Sequence, residues 1–424
     1  MMKRLGVFVG ISTVLLIGLV LALRSNARVT VKIPEPWKTG YWIWAGEAPM
    51  PASLKPQILY VQAQGTSWPG NLPDADEYVV VRRIDLQHGQ ELSRQAASKI
   101  AEDYRILAGR VDPGVHITGL QIDYDCPTSK LNTYAGFLGQ LRQELPPASR
   151  LSITALLDWF GPHTAIAAAL AAVDEFVPQF YDAGSERAAS GIAEPIDAAR
   201  WAPIFNAKNT PYRIGISTFG RIARSRHAGG ATEVKYFRDA SPLDFAGHSE
   251  LHRSTVTDSA GEVIVHYDGT NYGDSIDITL PTEASVRAAM DAARQFGGNC
   301  AGVLFFRWPN RFETLALHPD EVKRILSGQS LGSAVTLETR DASCIERRCS
   351  DLTLHLGRTP SPTDRAFEIR ARGDMELFLP ESPLRLYVRG NQILLTVPAY
   401  AGVADIRLGR AISQTPLRFE VSSR

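Results

Sequence analysis

Strand-like and helix-like patterns of hydrophobic and polar positions alternate through most of the chain. Residues 40–46 (GYWIWAG), 57–64 (QILYVQAQ) and 77–85 (EYVVVRRID) read as strands. An amphipathic helix follows over 91–108, with Leu92, Ala96, Ile100 and Leu107 on one side. A fourth strand, 115–125 (VHITGLQIDYD), leads into a second helix over 128–145. There Leu131, Tyr134, Leu138, Leu141 and Leu145 recur at three- and four-residue steps until Pro146 and Pro147 stop it. Strands at 151–160, 175–182 and 212–221, an Ala-rich helix at 164–172, a helix at 285–296, an eighth strand at 301–310 and a helix at 319–327 continue the rhythm. Residues from about 222 to 282 interrupt it, with a hairpin expected around 262–269. Eight strands with intervening helices predict an α/β fold, a closed (β/α)8 barrel with an insertion before its eighth strand. From about Gly332 the pattern changes to eight short alternating runs, from VTLET to LRFEV, punctuated by turns such as Gly390-Asn391. That predicts a C-terminal all-β, sandwich-like domain.

The N-terminus follows neither pattern. Lys3 and Arg4 precede an uncharged stretch from Leu5 to Leu23, and Arg24 follows it. The stretch is near the roughly 20 residues that cross a bilayer core and longer than the apolar part of a usual signal peptide. A transmembrane signal-anchor is expected, with a cleaved signal peptide as the alternative. The basic flank belongs inside, so the bulk of the chain is expected in the periplasm of a bacterium, attached to the inner membrane in a single pass. The expected domains are an anchor at 1–27, a linker at 28–38, the barrel at 39–330 and the β-domain at 331–424.

Composition narrows the function classes. The 424 residues carry 45 basic and 45 acidic side chains, a balance that makes no electrostatic case for nucleic acid or a polyanionic substrate. No Gly-rich phosphate fingerprint follows a strand and no cysteine–histidine spacing fits zinc, so neither cofactor nor metal is expected. Cys344 and Cys349, close together in CIERRC, are expected to form a disulfide in an oxidising compartment. Cys126 and Cys300 are expected to be free and buried.

The strongest local signal is TGLQIDYDCP, residues 118–127. Side chains alternate along a strand, so Gln121, Asp123 and Asp125 share one face and Leu120, Ile122 and Tyr124 the other. In a barrel the polar set faces the mouth at the C-terminal end, where barrel enzymes keep their chemistry. Two neighbouring carboxylates repel, so one pKa should rise. Solvated strand-end aspartates are the bland alternative. Asp158, at the end of the fifth strand segment, is a possible second carboxylate or a loop aspartate. Gln62 and Gln64 suit hydroxyl recognition or core hydrogen bonding. One of Arg82 and Arg83 must point inward, towards Asp123 or Asp125. Trp42, Trp44 and Trp308 fall at strand ends, where they either stack on sugars or pack.

The decapeptide resembles the signature DGIDIDWEYP of chitinase-type, family 18 glycoside hydrolases. Gly119, Ile122, Asp123 and Pro127 match, Leu120 is conservative, and Tyr124 replaces Trp. PQFYD, residues 178–182, resembles that family's sixth-strand M-x-Y-D, and IGISTFGR its seventh-strand GLPFYGR. Taken whole, the chain resembles a group of uncharacterised bacterial barrel proteins related to that clan. The resemblance implies a glycosidase acting on an N-acetylated envelope or secreted polysaccharide by acid-assisted retaining hydrolysis. It implies Asp125 as the acid, Asp123 as the carboxylate that orients a 2-acetamido group, and Tyr181 as a donor to the acetamido oxygen. Gln121, Gln179, Asp182, Asp158, Gln62, Arg83, Trp42 and Trp308 would complete the substrate site. Asp125 is a methylene shorter than the family's Glu, and Thr118 and Gln121 replace two aspartates. With those charges gone, Asp123 should be more acidic than in the full network. The alternative is a non-catalytic carbohydrate-binding or envelope scaffold protein with a degenerate site.

Overall fold

The computed structural model describes residues 37–423, apart from segments at 45–47, 87–91, 183–194, 229–230, 238–251, 258–259, 269–273, 311–312, 314, 332–334, 357–363, 383 and 398–404. The stretch from Leu5 to Leu23 lies outside the described residues. Among the described residues no helix is long and apolar enough to cross a membrane.

The first seven strands are β1 (Lys38–Ile43), β2 (Ile58–Gln62), β3 (Glu77–Arg83), β4 (Ile117–Asp123), β5 (Arg150–Ala155), β6 (Glu175–Pro178) and β7 (Tyr212–Ser217). Five antiparallel strands follow: β8 (Arg221–Ala228), β9 (Ala231–Phe237), β10 (His252–Thr257), β11 (Val263–Asp268) and β12 (Asp274–Leu280). With β13 (Cys300–Phe306), the first seven close a parallel barrel in the order β1-β13-β7-β6-β5-β4-β3-β2. The insertion is a sheet of its own, β10-β11-β12-β8-β9. The hairpin expected around 262–269 is present, with β11 as a central strand paired antiparallel to both β10 and β12.

Two-residue alternation sorts the barrel side chains. Leu59, Val61, Val80, Leu120, Ile122, Ile153 and Phe305 face the helices, while Trp42, Ile58, Tyr60, Val79, Val81, Val177, Leu304 and Phe306 pack inside the ring. The helix Arg94–Ala108 starts where Ser93 accepts the Ala96 N–H, a standard N-cap. It buries Ala97, Ala101, Tyr104 and Leu107. Of the expected face, Leu107 is buried and Leu92, Ala96 and Ile100 are partly buried. The helix Leu131–Glu144 buries the expected Leu131, Tyr134, Leu138 and Leu141.

The last eight strands form two four-stranded sheets. One holds β14 (Thr336–Ser343), β15 (Arg348–His355), β17 (Leu377–Pro380) and β20 (Asp405–Ser413). The other holds β16 (Arg365–Arg372), β18 (Leu386–Arg389), β19 (Gln392–Val397) and β21 (Arg418–Ser423). Leu352, Leu354, Phe367, Ile369, Ile393, Leu395, Ile406 and Leu408 make their own core. A disulfide joins Cys344 and Cys349 at the β14–β15 turn. Cys126 is free and buried, and Cys300 is free but only half-buried.

Candidate functional site

The barrel mouth lies at the C-terminal ends of the strands, and β4 carries its main carboxylate. Strand β4 stops at Asp123 rather than running to residue 125. The Asp123 carbonyl accepts the Ile84 N–H, the Cys126 N–H turns back to the Tyr124 carbonyl, and Tyr124 packs edge-on against Tyr134 on the helix side. Asp125 is therefore exposed beyond the strand end, and Asp123 is half-buried within the ring. Gln121, Asp123 and Asp125 do not form one regular inward row.

Asp123 Oδ1 accepts a hydrogen bond of 2.9 Å from Thr154 Oγ1 on β5. Burial pushes the Asp123 carboxyl up to about 6; Thr154 pulls it down, Asp125 pushes it up and Arg83 pulls it down. Of the two neighbouring carboxylates, Asp123 is the one whose pKa rises, and burial is a larger cause than the charge of Asp125.

One step deeper, Gln121 is fully buried. Its Oε1 accepts the Trp42 indole N–H at 2.7 Å, and its Nε2 donates to Ser152 Oγ at 3.2 Å. Ser152 Oγ donates to Glu175, which also accepts the Tyr60 hydroxyl. Arg213 Nε meets the other Glu175 oxygen at 2.8 Å, with the guanidinium 0% and the carboxylate 7% exposed. This network closes the ring beneath Asp123. Gln121 and Trp42 therefore belong to the floor and leave no face for a sugar, against the expectation for both.

Tyr181 stands in the short turn Phe180–Asp182 after β6 and lies flat on Phe306, centroids 4.2 Å apart. It also meets Trp42 edge-on at 5.5 Å. Gly215 on β7 leaves room for the Tyr181 ring. Trp44 and Phe219 border the same aromatic group at the rim.

The remaining expected residues scatter. Gln62 ends β2 half-buried, and Gln179 is buried, pairing with Gly215. The Asp182 side chain lies outside the described set. Asp158 is exposed in the turn Leu157–Phe160 and accepts from Thr128 Oγ1 at 2.6 Å, which ties it to the loop after β4. Arg83 is exposed and bonded to Asp85, with Asp123 and Asp125 both acting on its charge. Arg82 turns outward to the Ala63 and Gly65 carbonyls and to Asp103. Trp308 is a correction: it is buried against Tyr41 with the helix-side core, and its N–H is spent on the Met50 carbonyl. Thr118 sits at the other end of β4, bonded to Arg150 and the Tyr78 carbonyl, away from Asp123.

Residues 74–254 match the model of a domain of unknown function, DUF3142. No curated protein matches the chain. Among solved structures, it is similar to the spore cortex-lytic enzyme SleL of Bacillus cereus, at 14% identity and a TM-score of 0.45, covering 70% of this chain and 75% of that one. It is similar to a chitinase from Chromobacterium violaceum at 12% identity and a TM-score of 0.40, covering 69% and 98%. Chitinase ChiW from a Paenibacillus species is similar at 12% identity and a TM-score of 0.43, covering 91% of this chain and 54% of that one. In each case the likeness is one of architecture, at identities too low to carry residue roles.

Sequence reasoning missed Thr154, Ser152, Glu175 and Arg213. The signal for the first two was present: Ser152 and Thr154 alternate with Leu151 and Ile153 as Gln121 and Asp123 alternate with Leu120 and Ile122.

Proposed function

We propose that the barrel binds and hydrolyses an N-acetylated glycan by substrate-assisted retaining chemistry. The observation that carries this reading is the β4 terminus: Asp123 is half-buried in the mouth and Asp125 exposed two residues on. In this scheme the Asp123 carboxylate accepts the N–H of the 2-acetamido group. The acetamido carbonyl oxygen then attacks the anomeric carbon while Asp125 gives its proton to the departing glycosidic oxygen. Water next attacks the anomeric carbon, the acetamido group leaves, and the water's proton returns to Asp125. Tyr181 donates to the acetamido oxygen, and Gln62 and Arg83 meet hydroxyls at the rim.

The same reading assigns 39–330 to the glycan-binding unit and 331–424 to an appended β-unit. It places the protein in the periplasm, held to the inner membrane by the stretch from Leu5 to Leu23. The Cys344–Cys349 disulfide supports an oxidising compartment.

A second reading, glycan binding without turnover, draws on the exposure of Asp125 beyond the strand and the engagement of Gln121 in the floor. A panel of N-acetylated, neutral and acidic oligosaccharides separates the two, with wild type beside Asp125→Asn. Product release lost in Asp125→Asn supports hydrolysis with Asp125 as the acid, and turnover surviving it removes Asp125 from that role. Binding without turnover in wild type moves the conclusion to the second reading. Neither binding nor turnover ends both.

A further inference from the structure

Among the described residues, the Asp123 side chain has one hydrogen bond, from Thr154. Thr154 is 2% exposed and sits in the wall where β5 pairs with β6, its Cα opposite Val177. A buried hydroxyl without an acceptor is destabilising, so this one is held on the carboxylate. The floor offers no substitute, because both ends of the Gln121 amide are engaged by Trp42 and Ser152. The charged groups acting on Asp123 are Arg83 and Asp85 at the end of β3 and Asp125 on its own segment. All three are exposed, and solvent weakens their hold on its orientation.

We propose that Thr154 is the positioning residue of the site: it holds one oxygen of Asp123 against β5 so that the other is presented to the mouth. On the reading above, that second oxygen receives the acetamido N–H. A hydrogen bond to an ionised carboxylate also favours the ionised form, so Thr154 counters the effect of burial. A residue that merely filled the wall would leave the titration of Asp123 where it is.

The test uses the full chain with 13C-carboxyl aspartate labelling, its resonances followed by NMR from pH 4 to 9. Asp123→Asn assigns the signal. Thr154→Val removes the hydroxyl while keeping the shape, and the Asp123 midpoint should rise by about 0.5–1 unit. Thr154→Ser should restore it. If Thr154→Val does not fold, Thr154→Ala replaces it with the same expectation. An unchanged midpoint in the folded hydroxyl-free variant, or a shift that Ser does not reverse, overturns the proposal.

A second arm measures chitotetraose binding across the same pH range. Binding requires the ionised carboxylate, so its acid limb should move upward in Thr154→Val with the midpoint. A shifted midpoint with no chitotetraose binding by wild type leaves Thr154 as the positioning residue and overturns the N-acetylated ligand. The two failures are thereby distinguishable.

Discussion

Tyr181 lies on Phe306 with ring planes 5° from parallel, in a space left open by the absent side chain of Gly215. A Cβ at Gly215 would come within 2.8 Å of Tyr181 Cε1 and 3.0 Å of the Pro178 carbonyl oxygen. Gly215→Ala should therefore push Tyr181 off its stack, cost about 1–3 kcal/mol of stability and weaken glycan binding. Tyr181→Phe keeps the ring and should weaken binding with little change in stability. Thermal melts beside oligosaccharide titrations of both variants check this pairing.

The Glu175–Arg213 ion pair gives a second expectation. Arg213→Met leaves a carboxylate in the barrel interior whose neutral hydrogen-bond partners are Tyr60 and Ser152. Breaking a buried pair from one side typically costs about 3–5 kcal/mol. Adding Glu175→Gln to Arg213→Met removes the stranded charge and should recover part of the loss. Urea unfolding followed by barrel tryptophan fluorescence measures both.

Asp123 gives the pH dependence. Its folded pKa, about 6, lies above the unfolded value near 3.8, so the native state holds the proton more tightly. The stability this confers is complete below the unfolded pKa and is lost as pH rises through about 6. Asp123→Asn removes the cost of burying the anion. It should be more stable than wild type at pH 7, by on the order of 1–3 kcal/mol, and close to wild type at pH 4. Melting temperatures at the two pH values decide it.

The insertion sheet carries a second pH-sensitive group. His266 on β11 has Asp277 at 2.6 Å on Nδ1 and Asp268 at 2.8 Å on Nε2, with His252 within 4.0 Å of Asp268. Burial alone would lower its pKa, but the hydrogen bonds and charges of Asp277 and Asp268 outweigh burial and raise it. The stabilisation is present below the ordinary imidazole range and lost as pH rises through the raised value. Hydrogen exchange within β10–β12 should accelerate above neutral pH in wild type, and His266→Gln should flatten that dependence.

Much of this fold was legible as periodicity. Period-two alternation located all eight barrel strands and the eight strands at the C-terminus, and it placed Gln121 and Asp123 on one face. Alternation gives the face but not the depth. Gln121 lies one pleat below Asp123, where Trp42 seals it, and no local pattern separates those two levels. Apolar residues also continue past the strand ends, as in Leu157–Phe160 and Phe180–Asp182, so strands read from sequence ran too long and carried Asp125 and Asp158 with them. Trp308 falls outside β13, where strand parity no longer governs its direction. The pair Glu175–Arg213 depends on two neighbouring barrel strands, β6 and β7, whose paired residues lie 38 positions apart in sequence, which no local window contains.

The sealed interior has a consequence for traffic. With Gln121, Glu175 and Arg213 filling the cross-section beneath Asp123, no polymer can be threaded through the ring. Among the described residues, a ligand of Asp123 therefore has to enter and leave from the side of the strands' C-terminal ends.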